Sequence, residues 1–111
     1  MPVIDTLKSR QDFHSLYSKG IRYKLDYFMA IVLVSNTANQ SLRISFNIKR
    51  KFFNAVHRNL IKRRLKNISS KYKQILHDCN IVFIVDRRAA RCSYIDFEND
   101  IKKLCKLLKR C

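Results

Sequence analysis

Arg58, Asn59, Lys62, Arg63 and Lys66 are the residues of this 111-residue chain whose types and spacing point most directly to chemistry. At about 100° per residue they fall within an arc of about 140° on one side of a helix. Arginine and lysine on such a face neutralise phosphates and release condensed counterions, which makes affinity strongly salt-dependent. Asn59 adds an amide that both donates and accepts hydrogen bonds to sugars or base edges, which lysine cannot do. Arg64 extends the group, and Lys49, Arg50 and Lys51 form a second basic cluster just upstream. A merely solvated helix face would mix signs to gain pairs four residues apart, yet no acidic residue occurs from Phe28 to Leu76. Binding to a polyanion is the simplest reason for a field of one sign to persist against its own repulsion.

Proton-transfer chemistry is poorly provided for. Hydrolysis by side chains needs acid–base groups or metal ligands gathered in one place. The carboxylates Asp5, Asp12, Asp26, Asp78, Asp86, Asp96, Glu98 and Asp100 are scattered along the chain. His57 and His77 lie too far apart on one helix to meet, and His14 could approach His57 only through the fold. No catalytic residue and no metal site is therefore assigned to the protein. Cys79, Cys92, Cys105 and Cys111 include no Cys-x-x-Cys pair and no zinc-finger spacing to a histidine, so they read as free thiols.

The elements that must position the basic residues follow from periodicity. Ser9–Asp12 resembles a capping box opening a short helix with Phe13, Leu16 and Tyr17 on one face, and Gly20 stops it. Phe28–Val34 is a continuous apolar run of strand length. Ser35–Ser41 reads as a polar loop, and Leu42, Ile44, Phe46 and Ile48 then alternate with polar residues as a half-buried strand. Together these runs suggest an antiparallel hairpin. A long helix is predicted from about Asn54 to His77, with Ile61, Leu65, Ile68, Tyr72 and Ile75 stacked on a side that barely overlaps the basic arc. Ile81–Val85 reads as a buried strand. Ser93–Asp96 offers another capping box, for a last helix that turns Phe97, Ile101, Leu104 and Leu108 inward. Helices packed on one sheet make an α+β sandwich, expected as a single domain over residues 1–111.

A formal net charge of +16 beside 47% apolar residues argues for a folded, strongly basic domain and against disorder. No apolar run approaches the roughly 18 residues of a membrane span, and the first residues lack a secretory pattern. A cytoplasmic protein is expected.

The segment Asn54-Ala55-Val56-x-Arg58-Asn59-x-x-Lys62-Arg63 resembles the signature of the protein component of bacterial ribonuclease P. The likeness extends to Asp12-Phe13-x-x-Leu16-Tyr17-x-x-Gly20, to Phe28-Met29, and to Leu42-Arg43-Ile44-Ser45 followed by Arg50-Lys51, and covers about Leu7 to Leu108. The resemblance implies an α/β sandwich of the kind known from the second domain of a ribosomal protein. Its central sheet is expected to be mostly antiparallel, of about four strands, with three helices and a left-handed crossover around the long helix. It also implies one-to-one assembly with ribonuclease P RNA, which would hold Mg²⁺ and do the chemistry. Arg58, Asn59, Lys62, Arg63, Arg64 and Lys66 would then meet the RNA. Lys49, Arg50 and Lys51 would contact that RNA or track the 5′ leader of precursor tRNA.

From periodicity alone Phe13 and Tyr17 read as core packing. They are expected to face a sheet surface formed by Phe28, Phe46 and Ile48, and the resemblance instead places Phe13 and Tyr17 in a cleft for the single-stranded leader, where bases would stack on aromatic rings. Several positions depart from the family pattern. Leu60 and Lys66 stand where arginine is usual, Ser45 and Phe53 where glycine is usual, Ile31 near a usual aromatic, and Asp86 where a base is common. Leu60 for arginine removes a bidentate donor and could shift RNA contact onto Arg64. Two rivals remain: a ribosomal or RNA-chaperone protein outside any enzyme, and a helix-turn-helix DNA binder, which would need a helix just before Asn54.

Overall fold

The computed structural model describes residues 4–6, 16–34 and 42–108. Five strands form one sheet: β1 (Ile4–Thr6), β2 (Ile21–Lys24), β3 (Met29–Val34), β4 (Leu42–Ile48) and β5 (Cys79–Val85). A helical turn at residues 16–19 (α1), a helix at Ala55–Lys71 (α2) and a helix at Tyr94–Leu107 (α3) complete it, with a 3₁₀ turn at Arg87–Ala89. The α+β sandwich expected from the sequence is the observed architecture.

The strand order β1-β4-β5-β3-β2 corrects two expectations about pairing. Phe28–Val34 and Leu42–Ile48 do not form a hairpin, because β5 lies between β3 and β4. The sheet is also evenly mixed where a mostly antiparallel one is expected. β5 runs antiparallel to β3 and parallel to β4, β1 is parallel to β4, and β2 is antiparallel to β3. The physical reason lies in the faces. β3 and β5 are apolar on both sides because both sides are covered, which makes them interior strands. Ala30, Val32, Ile81 and Phe83 pack under α2 and α3, while Ile31 and Val82 pack under Leu16 of α1. β4 needs only one apolar face, and it alternates.

β2 is a strand that the sequence reading does not include. It is short and exposed, and it is held by a turn in which Leu25 N–H donates to Phe28 O at 2.9 Å. Asp100 of α3 braces that turn, accepting from Tyr27 N–H at 2.8 Å and Asp26 N–H at 3.3 Å. Gly20 ends α1, its N–H donating to Leu16 O at 2.9 Å. A side chain there would press to 2.4 Å from that oxygen and 2.6 Å from Ile31 Cγ2, so the tight seating of α1 on β3 requires glycine.

α2 begins where expected, with Asn54 Oδ1 accepting from His57 N–H at 2.8 Å. It ends at Lys71, short of His77, in a succession of turns through Tyr72 and Ile75. The chain must reverse there, because Leu76 is fully buried and β5 starts three residues later. The capping box at Ser93 and Asp96 is present, and Phe97, Ile101 and Leu104 are buried as expected.

Candidate nucleic-acid interface

The two stripes of α2 are separate in three dimensions. Ile61, Leu65 and Ile68 are buried against the sheet and α3, whereas Asn59, Lys62, Arg63 and Lys66 are exposed. Among the described residues, Lys62, Arg63 and Lys66 form no ion pair, so their charge faces solvent unneutralised. Arg58 is half-buried and donates through Nη1 to Phe53 O at 2.9 Å, which fixes its stem along the first turn. Phe53, where the family pattern has glycine, is buried at that turn with its ring edge-on to His57 at 5.0 Å. The departure therefore serves as an apolar anchor for the start of α2.

Arg64 does not stand beside the open cations. Its Nη1 donates to Cys92 O at 3.1 Å, tying α2 to the segment before α3. That bond makes it a brace between helices and a poor substitute for the arginine missing at Leu60. Lys49, Arg50 and Lys51 are exposed on the turn from β4 into α2, closed by Phe52 N–H donating to Lys49 O at 3.2 Å. They adjoin the amino end of the helix that carries the main stripe. A strand and a turn precede α2, not the helix that a helix-turn-helix binder requires.

The aromatic residues part company. Tyr17 is half-buried on the α1 side of the sheet, where its hydroxyl accepts from Asn47 Nδ2 at 3.3 Å. Phe28 and Phe46 lie on the opposite side and cannot line a cleft with Tyr17. Phe28 is fully buried, 5.4 Å from the Phe83 ring and 6.1 Å from the Phe97 ring, and Phe46 stacks on Phe83 at 5.9 Å. Phe28 is a core residue and Phe46 is half-buried against that core, on the side away from Tyr17, which corrects their assignment to the leader site. Phe13 lies outside the described residues.

The residues that do share Tyr17's side follow from register. They are Arg43, Ser45 and Asn47 on β4, Asn80 and Ile84 on β5, and Arg22 and Lys24 on β2. Their signal was present in the sequence. If Leu42, Ile44, Phe46 and Ile48 point to the core, the residues between them must point the other way. This second surface is thus polar and basic at its borders, with an apolar floor at Ile31 and Val82.

The acids from Asp26 to Asp100 are engaged by groups of the protein itself. Asp26 pairs with Lys103, Asp86 with Arg88 at 3.2 Å, and Glu98 with Lys71 at 3.6 Å and with the Tyr72 hydroxyl at 3.2 Å. Asp96 closes the α3 cap and Asp100 holds the β2–β3 turn. Burial tends to raise the Asp86 carboxyl, but the Arg88 backbone and guanidinium bonds outweigh it and leave it below its usual range. No group of three or more His, Cys, Asp or Glu side chains among the described residues could hold a metal ion.

Known proteins share this fold. The family model described as Ribonuclease P matches residues 1–109. The Ribonuclease P protein component of Picosynechococcus is 36% identical over 106 residues, covering 94% of this chain and 90% of that protein. The counterpart in Nitratiruptor is 26% identical and covers 99% and 97% of the two chains. Among solved structures, the RNase P protein of Staphylococcus aureus superposes with a TM-score of 0.81 at 24% identity, covering 95% of each chain. The RNase P protein from Thermotoga maritima gives a TM-score of 0.79 at 24% identity, over 93% of this chain and 96% of that one. These structural likenesses speak to the fold.

Proposed function

We propose, from the premise that this chain belongs to the Ribonuclease P family and serves as the protein component in 5′ processing of tRNA, that it works without a catalytic side chain of its own. Bond cleavage belongs to the partner RNA. The protein docks on that RNA through Arg58, Asn59, Lys62, Arg63 and Lys66, and it receives the leader of precursor tRNA on the α1 side of the sheet. There the Tyr17 ring offers a stacking surface indifferent to base identity, and Arg22, Lys24 and Arg43 border the path of the backbone. One protein per RNA suffices, since one helix presents the docking stripe, and the complex works in the cytoplasm.

Mg²⁺ suits the phosphate oxygens of the RNA. Asp26, Asp78, Asp86, Asp96, Glu98 and Asp100 do not fit that ion, because each is already engaged by a lysine, an arginine, a hydroxyl, a thiol or a backbone N–H. Cationic side chains near the RNA lower the repulsion between converging phosphates and so favour metal occupancy there.

The observation that carries this reading is the exposure of Asn59, Lys62, Arg63 and Lys66 on the side of α2 away from Ile61, Leu65 and Ile68. Cleavage of precursor tRNA by the cognate RNA, with and without the protein, tests it at low and near-physiological Mg²⁺. A protein-dependent gain at low Mg²⁺ is expected. Absence of any gain in cleavage or substrate affinity would instead favour a general RNA chaperone.

A further inference from the structure

A further basic site, which shares Lys49 with the cluster upstream of α2, is built where β4 and β5 end. β4 and β5 run parallel and deliver their carboxyl ends to one edge of the sheet, where Lys49 N–H donates to Val85 O at 3.2 Å. The segments leaving these strands border an open pocket of about 350 Å³ lined by Lys49, Phe52, Asp86, Arg87 and Arg88. That volume lies within the range of small-ligand sites, at its lower end.

The charges in this cavity are not equivalent. Arg88 is fixed, with Nε on Asp86 at 3.2 Å and Nη1 on Leu25 O at 3.2 Å. Asp86 is consumed by that bond and by Arg88 N–H at 3.0 Å. Lys49 and Arg87 have no ion-pair partner among the described residues. The Arg87 guanidinium lies over the Phe52 ring, 5.8 Å from its centroid. Lys51 Nζ also lies over that ring, 5.6 Å from its centroid, so Phe52 gathers two cations, and the planar guanidinium of Arg87 offers a face as well as a charge.

We infer that this cavity is a nucleotide site, taking a phosphate between Lys49 and Arg87 and a base against the planar groups of Arg87 and Phe52. An inorganic anion would use the charges and leave those planar groups idle, whereas a nucleotide uses both. The physiological ligand is one nucleotide of an RNA strand, either of the RNA subunit or of precursor tRNA. That last step rests on the ribonuclease P reading; the binding of a mononucleotide does not.

The test titrates the whole chain with adenosine 5′-monophosphate and follows backbone amides by NMR. Saturable shifts at Lys49, Phe52, Arg87 and Arg88 are expected, weakened roughly threefold to tenfold by Arg87→Ala and by Lys49→Gln. Both positions are exposed, so circular dichroism should report an intact fold for each variant. Inorganic phosphate binding as tightly as the nucleotide, or shifts confined to α2, overturns the proposal. In the assembled complex, hydroxyl-radical footprinting of each RNA in turn identifies the source, as the nucleotides whose protection Arg87→Ala removes. Protection unchanged in both RNAs overturns the assignment of the ligand to an RNA strand. If the complex fails to cleave precursor tRNA, the functional reading falls, and the mononucleotide titration still decides the cavity.

Discussion

Lys62 and Arg58 differ in what holds them, and that difference is measurable. Lys62 is exposed with no ion pair among the described residues, whereas Arg58 is pinned to Phe53 O and pre-oriented. Each variant to alanine should weaken binding to the RNA subunit and reduce the slope of log affinity against log salt by about one for every phosphate no longer neutralised. Filter binding across a salt series checks both. At the aromatic positions the structure separates two roles that the sequence blends. Phe28→Ala should cost about 3–5 kcal/mol of stability in urea unfolding, since its ring is enclosed by Phe83 and Phe97. Tyr17→Ala should instead lower affinity for precursor over mature tRNA by about 1–3 kcal/mol. Equal loss of affinity for both tRNAs would remove Tyr17 from the leader path. The misassignment of Phe28 and Phe46 arose because an aromatic residue reports burial and ligand stacking by the same signal. Strand parity settles the matter, and for Phe46 the parity was already visible in Leu42, Ile44 and Ile48.

Among the elements, helix starts were legible and strand partners were not. Asn54 and Ser93 announce their helices through side chains that satisfy backbone N–H groups a few residues away, a purely local event. The end of α2 was not legible, because Tyr72 and Ile75 continue the apolar period through turns that are no longer helix. Strand pairing is a tertiary choice. The run Phe28–Val34 and the alternating Leu42–Ile48 are neighbours in sequence, but β5 enters between them because its two apolar faces both need cover. The brace between α3 and the β2–β3 turn has its own pH signature. Burial raises the Asp100 carboxyl above its ordinary 3.8, against the lowering effect of the Tyr27 and Asp26 N–H groups. A raised folded value means that this group's contribution is complete below 3.8 and is lost as pH climbs through the folded value. The stability advantage of the natural chain over Asp100→Asn should accordingly be largest in acid and shrink towards neutral pH, as urea midpoints would record. An advantage that grows with pH would mean that the carboxylate form holds the turn.

For the molecule as a whole, a net charge of +16 sets folding and binding in opposition. Self-repulsion weakens the compact free protein, and the same charge strengthens its union with RNA. Added sodium chloride should raise the thermal midpoint of the free protein by screening while lowering its affinity for RNA. A parallel fall in both would show that internal ion pairs, not repulsion, dominate stability. The α+β class and the basic helix were readable from one sequence because both rest on periodicity and charge. The mixed topology and the cavity at the ends of β4 and β5 depend on which strands meet, which no local pattern encodes. The most direct measurement is an amide-perturbation map of the protein titrated with the ribonuclease P RNA. The largest changes are predicted from Arg58 to Lys66, lost in a variant with Lys62, Arg63 and Lys66 all changed to alanine; a map centred on α3, with α2 silent, would contradict the docking claim.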